Sequence, residues 1–173
     1  MDITTPPSLW IALGLLGTVL SSSASAQTRA GRRDSLFAAD SIVLERTRCF
    51  GTCPAYRLSV SRSGKVHFES RNPDDETRAT ADVPTIQFEW ILSKAHHIDF
   101  LALPNRIADN KHYCPTTVTD NPTAIVTVFM GAGSKRVEDY YGCYWAPAGL
   151  RELEEYVDRV TNAKRWIRPA RGS

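Results

Sequence analysis

Apolar and polar residues alternate over Tyr56-Arg57-Leu58-Ser59-Val60-Ser61 and again over Lys65-Val66-His67-Phe68-Glu69-Ser70. A period of two sends successive side chains to opposite faces, so both segments read as half-buried strands. Arg62-Ser63-Gly64 separates them. As a three-residue turn with Gly64 left-handed, which the absent Cβ permits, it sets Val60 opposite Val66 and Leu58 opposite Phe68. A two-residue turn would oppose Val60 to His67 and mix the faces, so the three-residue turn is expected.

Ser41 to Thr47 is rich in β-branched and aliphatic residues and predicts a preceding strand. Thr123 to Met130 is almost continuously apolar or β-branched and predicts a buried one; Gly131-Ala132-Gly133 turns the chain, and Ser134 to Tyr141 pairs back. Apolar residues occupy both faces of the buried strand, so no register follows for this second hairpin. Helical spacing takes over at Phe88, Ile91, Leu92 and Ala95, predicting a helix from about Val83 to His97 with Asp82 as its cap and Pro84 in its first turn. Pro147 opens a second helix with Leu150, Leu153, Val157 and Val160 on one face and Arg151, Glu152, Glu154, Glu155 and Asp158 on the other. Asn72 to Ala81 reads as a loop, Asn105 to Pro122 as a long irregular connection, and Trp166 and Ile167 as folding back on the core. The order β-β-β-α-β-β-α predicts an α+β domain: an antiparallel sheet of about five strands with two helices packed on one face.

The ends differ from this body. Leu9 to Leu20 is an uncharged apolar run, short for a bilayer crossing, and Ala24-Ser25-Ala26 fits signal-peptidase cleavage. Residues 1–26 are therefore expected to be a signal peptide, 27–40 a flexible leader, 41–167 a single domain and 168–173 a basic tail. That predicts an exported protein, periplasmic or secreted, with no membrane span after signal removal. The n-region Met1 to Ser8 lacks Lys and Arg, a departure from the usual signal. Net charge is +2, with the basic excess at the termini (Arg29, Arg32, Arg33; Lys164, Arg165, Arg168, Arg171). No aromatic-basic interleaving accompanies it, and no nucleic-acid partner is expected.

Four cysteines, Cys49, Cys53, Cys114 and Cys143, lie beyond the signal. An even count in an exported chain predicts two structural disulfides. Three pairings are possible. Cys49 and Cys53 share a short Gly-containing loop; Cys114 precedes one strand of the second hairpin and Cys143 follows the other. Antiparallel pairing brings those last two together, so Cys49–Cys53 and Cys114–Cys143 are expected. Zinc held by these thiolates would want two close pairs, and a dithiol exchanger would want C-x-x-C at a helix start. Adjacent His96 and His97 diverge on a helix, and His112 stands alone, so no metal site and no cofactor is expected. Asp120, Asp139, Tyr140, Tyr141, Tyr144 and Trp145 form a second cluster. Its aromatics suit a binding surface, while Asp120-Asn121-Pro122 also reads as plain turn chemistry. No nucleophile-elbow, zincin, P-loop or dinucleotide motif occurs.

At Cys49-Phe50-Gly51-Thr52-Cys53-Pro54-Ala55-Tyr56 the chain resembles a bacterial exported family of unknown function, DUF6438-like, with a C-x-G-x-C-P-x-Y motif. The resemblance includes a first strand ending in Arg and a hairpin with a Gly turn. It continues through Val118-Thr119-Asp120, Lys135-Arg136-Val137, Tyr141-Gly142 and the Pro147-led helix to Arg165-Trp166. It implies export and a single domain, and brings no catalytic residues. The residues point to a non-enzymatic binding module for a protein, peptide or cell-envelope ligand. The alternatives are a small hydrolase using Asp120 or Asp139 with Tyr140 or Tyr141, and a thiol redox or metal protein using Cys49 and Cys53. No feature sets an oligomeric state.

Overall fold

The computed structural model describes residue 1, residues 36–131 and residues 133–168 of the 173-residue chain. The predicted signal peptide and most of the leader lie outside the described residues, as do the last five residues of the tail. The described elements are β1 (Ser41–Arg46), β2 (Tyr56–Ser61), β3 (Lys65–Ser70), β4 (Arg78–Asp82), α1 (Thr85–His97), β5 (Thr123–Met130), β6 (Gly133–Tyr140) and α2 (Ala148–Thr161). Short 3₁₀ turns occupy Phe100–Ala102, Ile107–Asp109 and Ala163–Arg165. One antiparallel sheet runs in the order β4-β3-β2-β1-β5-β6. The domain is α+β, with six strands rather than about five.

The first hairpin has the register that its alternation demands: Val60 faces Val66 and Leu58 faces Phe68. Gly64 takes φ +83°, and a Cβ there would sit 2.1 Å from the Val83 carbonyl oxygen. Glycine is needed both for the left-handed turn and for the close passage of the chain leaving β4. The second hairpin pairs Val126 with Val137 and Met130 with Gly133.

Two expectations are corrected. The segment Asn72 to Ala81 is not all loop, because Arg78–Asp82 adds to β3 as an edge strand. Its alternation, Arg78-Ala79-Thr80-Ala81-Asp82, rests on alanines alone: Ala79 and Ala81 pack against the core while the charged and polar residues face out, so the apolar signal is weak. Asp82 consequently does not cap α1. It ends β4 and pairs with Lys65 at 2.7 Å, while Pro84 sits at the cap position. Pro147 likewise precedes α2 as its cap residue rather than its first helical residue.

Cross-strand rows build the core. Ala79, Phe68, Leu58, Leu44, Val126 and Val137 stand side by side across all six strands, with Ala81, Val66, Val60, Ile42 and Val128 in the next row. Phe88, Ile91, Leu92 and Ala95 of α1 and Leu150, Leu153 and Val157 of α2 join the same buried cluster, so both helices cover this face. Each valine, leucine, isoleucine or phenylalanine among them contributes about 1.5–3 kcal/mol on burial. Trp166 closes one end, its ring 5.3 Å from Phe68. Cys49 is bonded to Cys53 and Cys114 to Cys143. Both bridges lie where β1 and β6 end and β2 and β5 begin. The second pins the long connection after Pro104, which also runs beside β6 through an Arg106–Glu138 bridge. No helix among the described residues is long and apolar enough to cross a membrane.

Candidate functional site

Following the core face toward the disulfide end, the next row is polar apart from Ala124: Asp139, Ala124, Arg46, Tyr56 and Ser70. The alternation itself places them there, since Arg46 continues Ile42 and Leu44 while Tyr56 continues Leu58 and Val60. Above this row, α2 contributes Arg151, Glu154 and Asp158 at helical spacing. Glu154 shares a stripe with Leu150, Val157 and Thr161 and is fully buried, which corrects its assignment to the face opposite the leucines.

The contacts form one network. Arg46 donates from Nε to the Tyr56 hydroxyl (3.0 Å) and to Asp158 Oδ2 (2.9 Å), and from Nη1 to the Tyr141 hydroxyl (2.8 Å). Tyr56 donates to Asp158 Oδ1 at 2.6 Å, and Tyr141 to Glu154 Oε2 at 2.6 Å. Arg151 donates from Nε to Asp139 Oδ2 (3.0 Å) and from Nη2 to the Cys143 carbonyl (2.7 Å). Its guanidinium also lies 4.8 Å from the centre of the Tyr141 ring. The helix is thereby tied to β1, β2, β6 and the backbone of the disulfide-bonded loop.

Two guanidiniums and two of the carboxylates, Asp139 and Asp158, balance one another. Glu154 is the fifth charged-type side chain, and its Oε1 is buried without a hydrogen-bond partner. Burial pushes the Glu154 carboxyl up to about 8, although the Tyr141 hydroxyl and both arginines favour its ionised form. A neutral Glu154 keeps the cluster balanced. Burial likewise raises Asp139, opposed by Arg151. Burial also disfavours the Arg46 cation, but Asp158, Tyr141 and Tyr56 together hold it charged above the usual range. The Tyr56 and Tyr141 phenols are raised chiefly by burial and then by Asp158 and Glu154 respectively, so they act as donors rather than bases.

The sequence-predicted residues separate into two groups. Asp139, fully buried, and Tyr141 enter the network. Tyr140 points the other way along the strand and donates to the Val118 carbonyl at 2.7 Å. Asp120 is exposed, has φ +66°, and accepts from the Thr119 hydroxyl at 3.2 Å. The bonds that anchor Asp139 and Asp120 share no partner. Tyr144 and Trp145, each 70 % exposed, follow Cys143 directly, and Phe50, 90 % exposed, tips the Cys49–Cys53 loop. Sequence reasoning overlooked Arg46, Tyr56, Arg151, Glu154 and Asp158 as a unit; the polar residues continuing each apolar period were the available signal. All four sulfurs are committed to disulfides, and no group of three His, Cys, Asp or Glu among the described residues is placed to hold a metal.

The polar cluster at the disulfide end thus takes in Tyr56 of the Cys49–Tyr56 segment together with Arg46 at the end of the first strand and Tyr141. The chain belongs to the DUF6438 family, a domain of unknown function, whose model matches residues 40–161. No curated protein matches the chain.

Proposed function

We propose that the protein is an exported binding module whose disulfide-bonded loops present aromatic side chains to a protein, peptide or cell-envelope partner. The observation that carries this reading is the exposure of Phe50, Tyr144 and Trp145 on two cross-linked loops at the same end of the sheet. A rigid exposed aromatic loses little freedom on binding, which favours it as an interface anchor. The carboxylates beneath are committed to arginines and phenols, so the cluster's evident work is to hold the loops in place. Two disulfides and the apolar N-terminal run support export.

The test uses a photo-crosslinking residue at position 145 or 50, with a control at Trp90 on α1. Envelope-dependent adducts at 145 and 50, suppressed by excess untagged protein and absent at 90, are the expected result. Equal labelling at all three positions would refute the loop surface.

A further inference from the structure

The sheet face opposite the helices carries a separate concavity lined by polar side chains on their aliphatic stems. Ser59, His67 and Thr80 form a cross-strand row on β2, β3 and β4, beside a second row of Arg57, Glu69 and Arg78. These six side chains line a shallow concavity of about 380 Å³. Ser59, His67 and Thr80 make no side-chain hydrogen bond among the described residues, so three groups able to donate and accept line its floor unused. Arg57 spends one N–H on Glu45 (2.9 Å) and Arg78 one on Glu69 (3.3 Å). Glu69 is also paired with Arg71 at 3.1 Å. Three arginines thus face two carboxylates, which leaves one net positive charge and several free guanidinium donors.

Spacing narrows the ligand. Adjacent strands lie about 4.8 Å apart, so the hydroxyl–imidazole–hydroxyl row has a step of roughly one sugar residue, and Arg57 and Arg78, two strands apart, are separated by about two such steps. Guanidiniums favour carboxylates through paired N–H bonds. We propose that this face binds an acidic oligosaccharide segment of about three sugars, the carboxylates of its first and third units on Arg57 and Arg78 and its hydroxyls on Ser59, His67 and Thr80. This site lies on a different surface from the aromatic loops and stands or falls independently of them.

The experiment titrates the exported protein with digalacturonate and trigalacturonate, with cellobiose, inorganic phosphate and a glutamate dipeptide as controls, followed by calorimetry and amide chemical-shift mapping. Binding of the galacturonates with shifts on β2, β3 and β4 is expected. Arg78→Gln and Arg57→Gln should each weaken it about tenfold, Ser59→Ala less, and Trp145→Ala not at all. All three sheet positions are at the surface, so these variants keep the fold, which circular dichroism verifies. The trimer should bind more tightly than the dimer, because only it spans both arginines; equal binding of the two would overturn the three-sugar placement. Cellobiose binding as tightly would overturn the charge argument. Phosphate or the dipeptide binding as tightly would reduce the site to simple anion attraction and overturn the sugar assignment, as would shifts confined to other surfaces.

Discussion

Glu154 shows how one side chain sets the pH response of the fold. Its carboxyl moves from an ordinary 4.5 to about 8 on folding. Below the lower value both states hold the proton. Between the two, unfolding releases it, so stability falls as pH rises, by at most about 1.4 kcal/mol per pH unit from this group. Asp139, also raised, acts in the same direction. Urea unfolding at pH 5 and pH 8 should therefore show a larger loss for the wild type than for Glu154→Gln; identical slopes would contradict a buried neutral acid. Arg46 has the opposite role. Arg46→Ala strands the Asp158 carboxylate and two phenols, and because Asp158 remains 24 % exposed the cost is about 2–4 kcal/mol, measurable in the same urea experiment. Gly142 is constrained by space alone: a Cβ would meet the Val118 carbonyl oxygen at 2.1 Å and the Tyr140 ring at 2.4 Å. Gly142→Ala should cost about 1–3 kcal/mol as the Val118–Gly142 bond and the Tyr140 ring shift.

Among the elements, the two disulfides have unequal work. Cys114–Cys143, separated by 29 positions, closes a long loop worth about 3–4 kcal/mol in the chain-entropy picture. Cys49–Cys53, separated by four, closes a tight one worth about 2 kcal/mol inside a connection that β1 and β2 already bring together. The denaturant midpoint of Cys114→Ser/Cys143→Ser should fall further than that of Cys49→Ser/Cys53→Ser. The short bridge should matter more for cross-linking from position 50, because it holds Phe50 outward; an unchanged cross-link yield in Cys49→Ser/Cys53→Ser would contradict that. Element identity was legible where period and burial agreed. The β2–β3 hairpin has one apolar face, so its register followed from alternation alone. β4 was missed because its inward stripe is only Ala79 and Ala81, too small to stand out in a charged segment, and the β5–β6 register was illegible because β5 is apolar on both faces.

At the scale of the whole molecule, the sheet separates two surfaces: a covered face ending in a charged cluster under aromatic loops, and an open face lined by ion pairs. Expression of the full chain in a bacterium should yield an exported product starting at Gln27 and lighter by four hydrogens than its reduced form. An intact mass retaining residues 1–26, or all four thiols, would contradict the exported reading. Local periodicity, turn chemistry and cysteine placement were enough to determine an α+β domain, its first hairpin and its two cross-links, because each depends on residues near in sequence or brought together by one strand pairing. The polar cluster is different. Arg46, Tyr56, Asp139, Tyr141, Glu154 and Asp158 come from four separate regions; only the packing of α2 across the sheet decides that Glu154 is buried and that Asp139 meets Arg151, and only the pairing of β1 with β5 decides that the aromatic loops share one end. The alternation of β1 and β2 points Arg46 and Tyr56 to the core face, but what each meets there is a property of the assembled face that no local pattern encodes.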